Sequence, residues 1–141
     1  MKLLLTVPMT RIIDDVGAMN DNGLGYLAAV CKKAGIEVIL LSWNINRDFE
    51  TFRRNLLVLN PDIIGLKVFT SQFKSSYDTL KVIREVLPSA ITVIGGPHPS
   101  TSRPEDLFYE FDGVLDYAIA GDGEISVASF SRSGHCHPDL W

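Results

Sequence analysis

Five mainly apolar runs recur along the chain, and each is bounded by turn-forming residues. They cover residues 2–7, 36–41, 62–68, 90–94 and 115–119. A strand that is covered on both faces of a sheet has this pattern, because neither of its sides faces water. We therefore predict five strands of a parallel sheet.

Between these runs, apolar residues recur at three- and four-residue spacing, which gives a helix one apolar face. Three such faces are predicted, formed by Leu24, Leu27, Ala28 and Cys31, by Phe49, Phe52, Leu56 and Leu59, and by Phe73, Tyr77, Leu80, Ile83 and Leu87. The alternation of strands and helices predicts the α/β class. The expected architecture is a doubly wound, five-stranded parallel sheet in a flavodoxin-like (Rossmann-type) three-layer sandwich.

Turn and capping residues mark the boundaries of these elements. Gly35 is expected to end the first helix, and SRPE at 102–105 reads as a capping box with a proline in the first helical turn. After Glu124 the pattern changes, since residues 125–130 begin a helix that 131–141 do not continue. We expect one domain over residues 1–124, followed at 125–141 by a truncated last helix and an irregular tail.

Composition restricts the classes of partner. The 141 residues, 46% of them hydrophobic, suffice for one domain with a core. The net charge is −4 and no basic run is present, so nucleic acid is not an expected partner. The apolar start is too short for a membrane span and lacks a signal cleavage site, which predicts a cytoplasmic protein. Two cysteines cannot form a disulfide framework.

Ligands of open doubly wound sheets bind beyond the carboxyl ends of the strands. The five loops expected there begin at Pro8, Ser42, Phe69, Gly95 and Ala120. The first is unusually long, and the fourth and fifth are rich in glycine, which lets the backbone approach a large ligand. These loops are the predicted binding edge.

Motifs for other ligands and for catalysis are either at the wrong position in the chain or lack required residues. GLGYLA at 23–28 matches the dinucleotide pattern, but the predicted first strand ends about fifteen residues earlier, whereas the motif must follow that strand directly. The ends of the first and third strands lack the acids of a phosphoacceptor receiver. The three potential metal ligands at 135–137 are nearly adjacent and lack a fourth partner. We predict no catalytic residue and no metal ligand.

Four segments carry a family resemblance. They are GLGYLAAV at 23–30 with KAG at 33–35, PDIIGL at 61–66, GGPHPS at 95–100, and GDGE at 121–124. In this order and spacing the chain resembles, over nearly all of residues 1–124, the amino-terminal cobalamin-binding domain of radical S-adenosylmethionine enzymes. That group includes methyltransferases and the anaerobic magnesium-protoporphyrin IX monomethyl ester cyclase.

The resemblance implies that cobalamin lies across the carboxyl edge. The long first loop would face the lower side of the corrin, and the later loops would hold the nucleotide tail and the side-chain amides. The implied contact residues are Pro8, Met19, Asn20, Gly23, Leu24, Phe69, Thr70, Ser71, Gly95, Gly96, His98, Ser100, Gly121, Asp122, Gly123 and Glu124. For His98 a second interpretation stays open, in which the imidazole only shapes its loop.

Two positions depart from the pattern of cobalamin domains that ligate cobalt. The motif D-x-H-x-x-G supplies a histidine as lower cobalt ligand, and counting back from Gly23 places Asn20 at that histidine. The resemblance thus implies a site without a protein histidine ligand. The motif S-x-L, which shelters the nucleotide tail, falls on KVF at 67–69, so that Lys67 replaces the serine. The double glycine, Gly95 and Gly96, is kept.

The family's radical domain carries C-x-x-x-C-x-x-C for an iron–sulfur cluster, and this chain has no such motif. The resemblance therefore implies a carrier module that is not catalytic alone. Its iron–sulfur cluster and S-adenosylmethionine would belong to a missing or separate radical domain. The alternative is a degenerate module that keeps the fold and serves a structural or interaction role.

Overall fold

The predicted sheet is present in the computed structural model, which describes residues 1–9, 22–41 and 48–121, together with residues 123 and 126. Its strands are β1 (Lys2–Thr6), β2 (Glu37–Leu41), β3 (Ile63–Lys67), β4 (Ile91–Gly95) and β5 (Tyr117–Ala118). They form one parallel sheet in the order β2-β1-β3-β4-β5. This is the flavodoxin-like order, so the predicted fold class is confirmed.

Within the described ranges, five helices with defined bounds connect or flank the strands. They are α1 (Asn22–Lys33), α2 (Phe49–Leu59), α3 (Phe73–Val86), α4 (Pro97–Thr101) and α5 (Pro104–Glu110). The three predicted apolar faces are confirmed, because their residues are buried or pack against the sheet. Gly35 follows α1 with φ +83°, a conformation that favours glycine, as expected for the end of this helix.

Two hydrophobic clusters lie on opposite faces of the sheet. One includes Phe52 of α2, Leu80 of α3 and Leu107 of α5, all with 1% exposure or less. The other includes Ala28 and Cys31 of α1. The helices therefore cover both faces, and the core is divided by the sheet into two layers, as a doubly wound domain requires.

The structure corrects two local predictions. Residues 97–101 form the short helix α4, where the sequence predicted a glycine-rich loop. The capping box at 102–105 is also wrong: Arg103 is the N-cap of α5, and no side chain caps it. Ser102 instead donates its hydroxyl to His98 O at 2.8 Å, because it ends α4 rather than beginning α5.

A polar network joins the amino ends of β4 and β5. The Arg84 guanidinium donates to Asp116 Oδ2 at 2.8 Å and to Thr92 Oγ1 at 3.0 Å. The Thr92 N–H also donates to Asp116 Oδ2, at 2.8 Å. Burial alone would raise the pKa of the Asp116 carboxyl, but the bonds from Thr92 and Arg84 outweigh it and hold the pKa below its usual value.

The predicted last helix and tail lie outside the described residues, apart from the buried Ser126. Over the described ranges, no helix is both long enough and apolar enough to span a membrane.

Candidate functional site: the carboxyl edge of the sheet

The loops predicted to bind a ligand converge because all five strands are parallel. The strand order reverses between β1 and β3, which places the switch point beside Pro8 on one side and Phe69 on the other. The register pairs Lys67 at the end of β3 with Gly95 at the end of β4. The double glycine therefore lies next to the third loop.

Gly96 is needed for the backbone conformation between β4 and α4. Its φ of +102° and ψ of −164° lie in a region that residues with a Cβ rarely adopt. A Cβ there would also lie 3.1 Å from Val68 O and 3.3 Å from Val68 N. The neighbouring His98 N–H donates to Val68 O at 3.1 Å, so this close approach ties the start of α4 to the end of β3.

Gly95 differs from its neighbour. Among the described residues, no atom lies within 4 Å of the position that a Cβ would occupy, and the residue has no positive φ. Side chains alternate along a strand, so this open position shares the α1 face of the sheet with Val93. Of the two adjacent glycines, Gly95 is thus the one that leaves room at the binding edge.

The fourth and fifth loops are held together by Ser100. Its hydroxyl donates to Gly96 O at 2.8 Å and accepts the Gly121 N–H at 2.9 Å. Gly121 has φ +76°, and a Cβ there would meet nothing within 4 Å in the described part of the chain. Ser100 therefore fixes the relative position of two predicted contact segments.

The third loop presents polar groups at its surface. Thr70 and Ser71 are exposed and begin the short 3-10 turn Thr70–Gln72, which leads directly into α3. Phe69 is 41% exposed, and Lys67 Nζ lies 5.3 Å from the centroid of its ring. This loop offers hydroxyls, an aromatic face and a cation to the edge.

His98 is buried instead of facing the edge. It is 6% exposed, and its ring lies 6.1 Å from that of Phe73 and 6.2 Å from that of Phe111. Its Nδ1 is 3.3 Å from Thr70 Oγ1, and its buried Nε2 is 3.3 Å from the Glu110 carboxylate but makes no hydrogen bond within the described residues. These contacts favour the interpretation in which His98 shapes the loops by joining α4, α5 and the third loop.

The remaining predicted residues are only partly within the described ranges. Pro8 is buried, Gly23 is exposed in the first turn of α1, and Leu24 packs against the α1 cluster. Gly123 is half-buried. Met19, Asn20, Asp122 and Glu124 lie outside the described residues.

Two polar residues were not predicted from the sequence: Thr79 in α3, and Gln72 in the turn before α3. The Met9 N–H donates to the buried Thr79 Oγ1 at 2.8 Å, which fixes the start of the long first loop against α3. Gln72 Oε1 is buried and accepts no hydrogen bond within the described residues. No local pattern identifies Thr79 as this anchor, because Met9 is far from it in the chain.

Cys31 is fully buried on α1, as its place in the apolar stripe predicted, and burial raises the pKa of its thiol. Searched over the described ranges, the chain brings together no group of three His, Cys, Asp or Glu side chains able to hold a metal ion.

A parallel sheet in this order, with open glycines at its carboxyl edge, defines a doubly wound ligand-binding α/β domain. The family model described as B12 binding domain matches residues 12–131, which is most of the chain. The chain belongs to the B12-binding domain family.

Curated relatives agree with this assignment. The chain is 28% identical over 131 residues to the uncharacterized methyltransferase PH0819 of Pyrococcus horikoshii, covering 89% of this chain and 28% of that protein. It is 28% identical over 103 residues to the anaerobic magnesium-protoporphyrin IX monomethyl ester cyclase of Rubrivivax gelatinosus, covering 72% and 18% respectively. The chain thus spans less than a third of the length of either relative.

Among solved structures, the chain is similar to the cobalamin-dependent S-adenosylmethionine radical enzyme OxsB with aqua-cobalamin bound. The TM-score is 0.76 at 25% identity, covering 92% of this chain and 18% of that enzyme. The suspected resemblance to cobalamin-dependent radical enzymes is confirmed at the level of the domain.

Proposed function

We propose that the chain holds cobalamin at the carboxyl edge of its sheet as the carrier module of a larger radical S-adenosylmethionine enzyme. The observation that carries this proposal is the open position at Gly95, where the described residues leave space on the α1 face of the strand end. Within the B12-binding family, space at this edge is what a bulky cofactor needs in order to approach the backbone.

The described residues fit a large ligand with many amide groups. Gly95 and Gly121 leave open space, and Thr70 and Ser71 present hydroxyls that can donate to and accept from such amides. When bound, cobalamin supplies a cobalt ion that can carry an alkyl group. The residues of this chain bind and orient the cofactor, and they perform no bond-breaking step themselves.

We further propose that the chain supplies no histidine to the cobalt. The position of the histidine motif is Asn20, whose neutral amide is a weak ligand for the metal. His98, the one histidine within the described ranges, has its ring enclosed by Phe73, Phe111 and Glu110. Among the described residues, none would therefore supply an imidazole to the cobalt of a bound cobalamin.

The reaction would belong to another domain. The relatives named above are several times longer than this chain, and two of the three are named for an S-adenosylmethionine radical reaction or a methyl transfer. We propose that a separate or additional radical domain holds the iron–sulfur cluster and S-adenosylmethionine, and that methyl transfer or cyclase chemistry takes place there.

A second candidate function is a degenerate module with a structural or interaction role. Lys67 favours it, because a charged side chain stands where a small hydroxyl shelters the cofactor tail in the resembling domains. In this case the fold would persist while cofactor binding is lost.

Binding of hydroxocobalamin distinguishes the two functions. The purified chain is mixed with the cofactor and desalted, and the retained corrin absorption is measured. We expect retention by the wild type and loss in Gly95→Val, whose side chain fills the open position without a positive φ to strain it. Ser89→Val, in the exposed turn before β4, is the matched control and should retain the cofactor. No retention by the wild type at high micromolar cofactor would refute the carrier function.

The lower ligand is tested by electron paramagnetic resonance of the cobalt(II) form. The spectrum is compared between chain grown with ordinary histidine and chain grown with ¹⁵N-histidine. We expect no change in the nitrogen splitting, because no histidine nitrogen binds the cobalt. A change of splitting on labelling would show that a histidine is the ligand.

A further inference from the structure

We propose that Lys67 binds the phosphodiester of the cobalamin nucleotide tail and thereby selects corrinoids that carry a phosphate. This inference rests on the proposed cobalamin binding. It gives Lys67 a role opposite to the one it would have in a degenerate module.

Lys67 lies at the carboxyl edge of the sheet. It is the last residue of β3 and pairs in register with Gly95, so both residues point to the α1 face of the sheet. The Lys67 Cγ lies 3.2 Å from the Cβ position of Gly96, and Nζ lies 5.3 Å from the centroid of the Phe69 ring. Gly96 and Phe69 both lie beyond the strand ends, so the side chain extends along the binding edge toward the third loop.

Lys67 brings a positive charge to this edge. Among the described residues of the strand ends and of the loops that directly follow them, Lys67 is the one Lys, Arg, Asp or Glu. The ring of Phe69 attracts the ammonium and holds it at the edge. Lys67 is half-buried, so salt screens its field less than that of an exposed lysine. Within the described part of the edge, Lys67 therefore supplies a positive charge beside the space at Gly95.

The nucleotide tail of cobalamin carries a charge of the opposite sign. The corrin periphery carries neutral amides, and the phosphodiester of the nucleotide tail is its anionic group. A serine offers one neutral hydrogen bond at this position, whereas an ammonium offers charge-assisted bonds that are about twice as strong. Lys67, which stands in place of the serine, is therefore complementary in charge to the phosphodiester. This is the one anion that a nucleotide tail beside Gly95 would bring to the edge.

Three corrinoids test this assignment: cobalamin, cobinamide phosphate, which keeps a phosphate but lacks the base, and cobinamide, which has neither. Their dissociation constants are measured for the wild type, Lys67→Met and Lys67→Arg. We expect Lys67→Met to weaken cobalamin and cobinamide phosphate by roughly tenfold or more, and cobinamide hardly at all. Lys67→Arg should stay close to the wild type.

The control is Lys81→Met, which removes the same charge from an exposed position late in α3 and should leave all three affinities unchanged. Thermal melts show whether each variant is folded. If Lys67→Met does not fold, Lys67→Gln removes the charge while keeping a polar side chain, and it should weaken cobalamin and cobinamide phosphate but hardly change cobinamide.

The outcomes separate the two proposals. If the wild type binds none of the three corrinoids, the proposed cobalamin binding fails, and the role of Lys67 fails with it. If the wild type binds cobinamide as tightly as cobalamin, or if Lys67→Met weakens all three equally, cobalamin binding stands and the role of Lys67 is overturned.

Discussion

The two adjacent glycines of β4 and its loop should respond to substitution in opposite ways. In Gly96→Ala, a Cβ is forced into the conformation at φ +102° and ψ −164°, which costs on the order of 1–3 kcal/mol. The new methyl group would also lie 3.1 Å from Val68 O, which is a backbone atom directly after β3 and cannot rotate away. In Gly95→Ala the methyl group meets open space at an unstrained position, so stability should stay within about 0.5 kcal/mol of the wild type.

Urea unfolding followed by circular dichroism measures this difference. A loss of about 2 kcal/mol lowers the unfolding midpoint by about 1 M urea for a domain of this size. We expect that shift for Gly96→Ala and almost none for Gly95→Ala. Both variants add one methyl group, and they do so at neighbouring positions in the chain. Each is therefore the control for the other.

Equal destabilisation of both variants would refute this reasoning, because it would mean that the space beside Gly95 is filled in the folded protein. Unchanged stability of Gly96→Ala would refute it in another way, by showing that the backbone between β4 and α4 can relax. The stabilities of the two variants also decide how a loss of cobalamin binding is interpreted. A Gly96 variant that fails to bind cobalamin reports on folding, whereas a folded Gly95 variant that fails to bind reports on the site.

Two further predictions concern groups away from the edge. The pKa of the Asp116 carboxyl is lower in the folded chain than in the unfolded chain. Its contribution to folding stability is therefore fully present above the unfolded pKa of about 3.9, and it is lost as the pH falls through the folded pKa. The stability difference between wild type and Asp116→Asn in urea titrations should therefore shrink from pH 6 to about pH 2, and a constant difference would contradict the assignment. Burial raises the pKa of the Cys31 thiol, so in a Cys136→Ser chain Cys31 should resist a thiol reagent at pH 8 until urea unfolds the protein. Rapid labelling of the native chain would show that α1 opens readily.

The fold was accessible from the sequence because both of its signals are local. A strand covered on both faces shows a continuous apolar run, and a helix on a sheet shows an apolar stripe. The strands differ from their predicted bounds by two residues or fewer at each end. The capping box at 102–105 failed because Ser102 is used by the helix before it, a competition that a four-residue motif does not reveal.

The candidate site was only partly accessible. Parallel strands bring their carboxyl ends to one edge, so the sequence identified the loops that meet there. It could not tell that His98 is enclosed by rings from α3 and the end of α5, because those contacts join residues that are far apart in the chain. For the same reason it could not identify Thr79 as the anchor of the first loop.

By itself, the sequence determined the class of this protein and the family it resembles, since periodicity, glycine positions and motif order are properties of the chain alone. The tertiary structure decided what each edge residue does. It assigned Gly96 to the close approach of β3 and left Gly95 open, and it placed Lys67 beside that open position. Identical residue types acquire different roles there because space and charge at an edge are set by neighbouring strands, which the linear sequence does not place side by side.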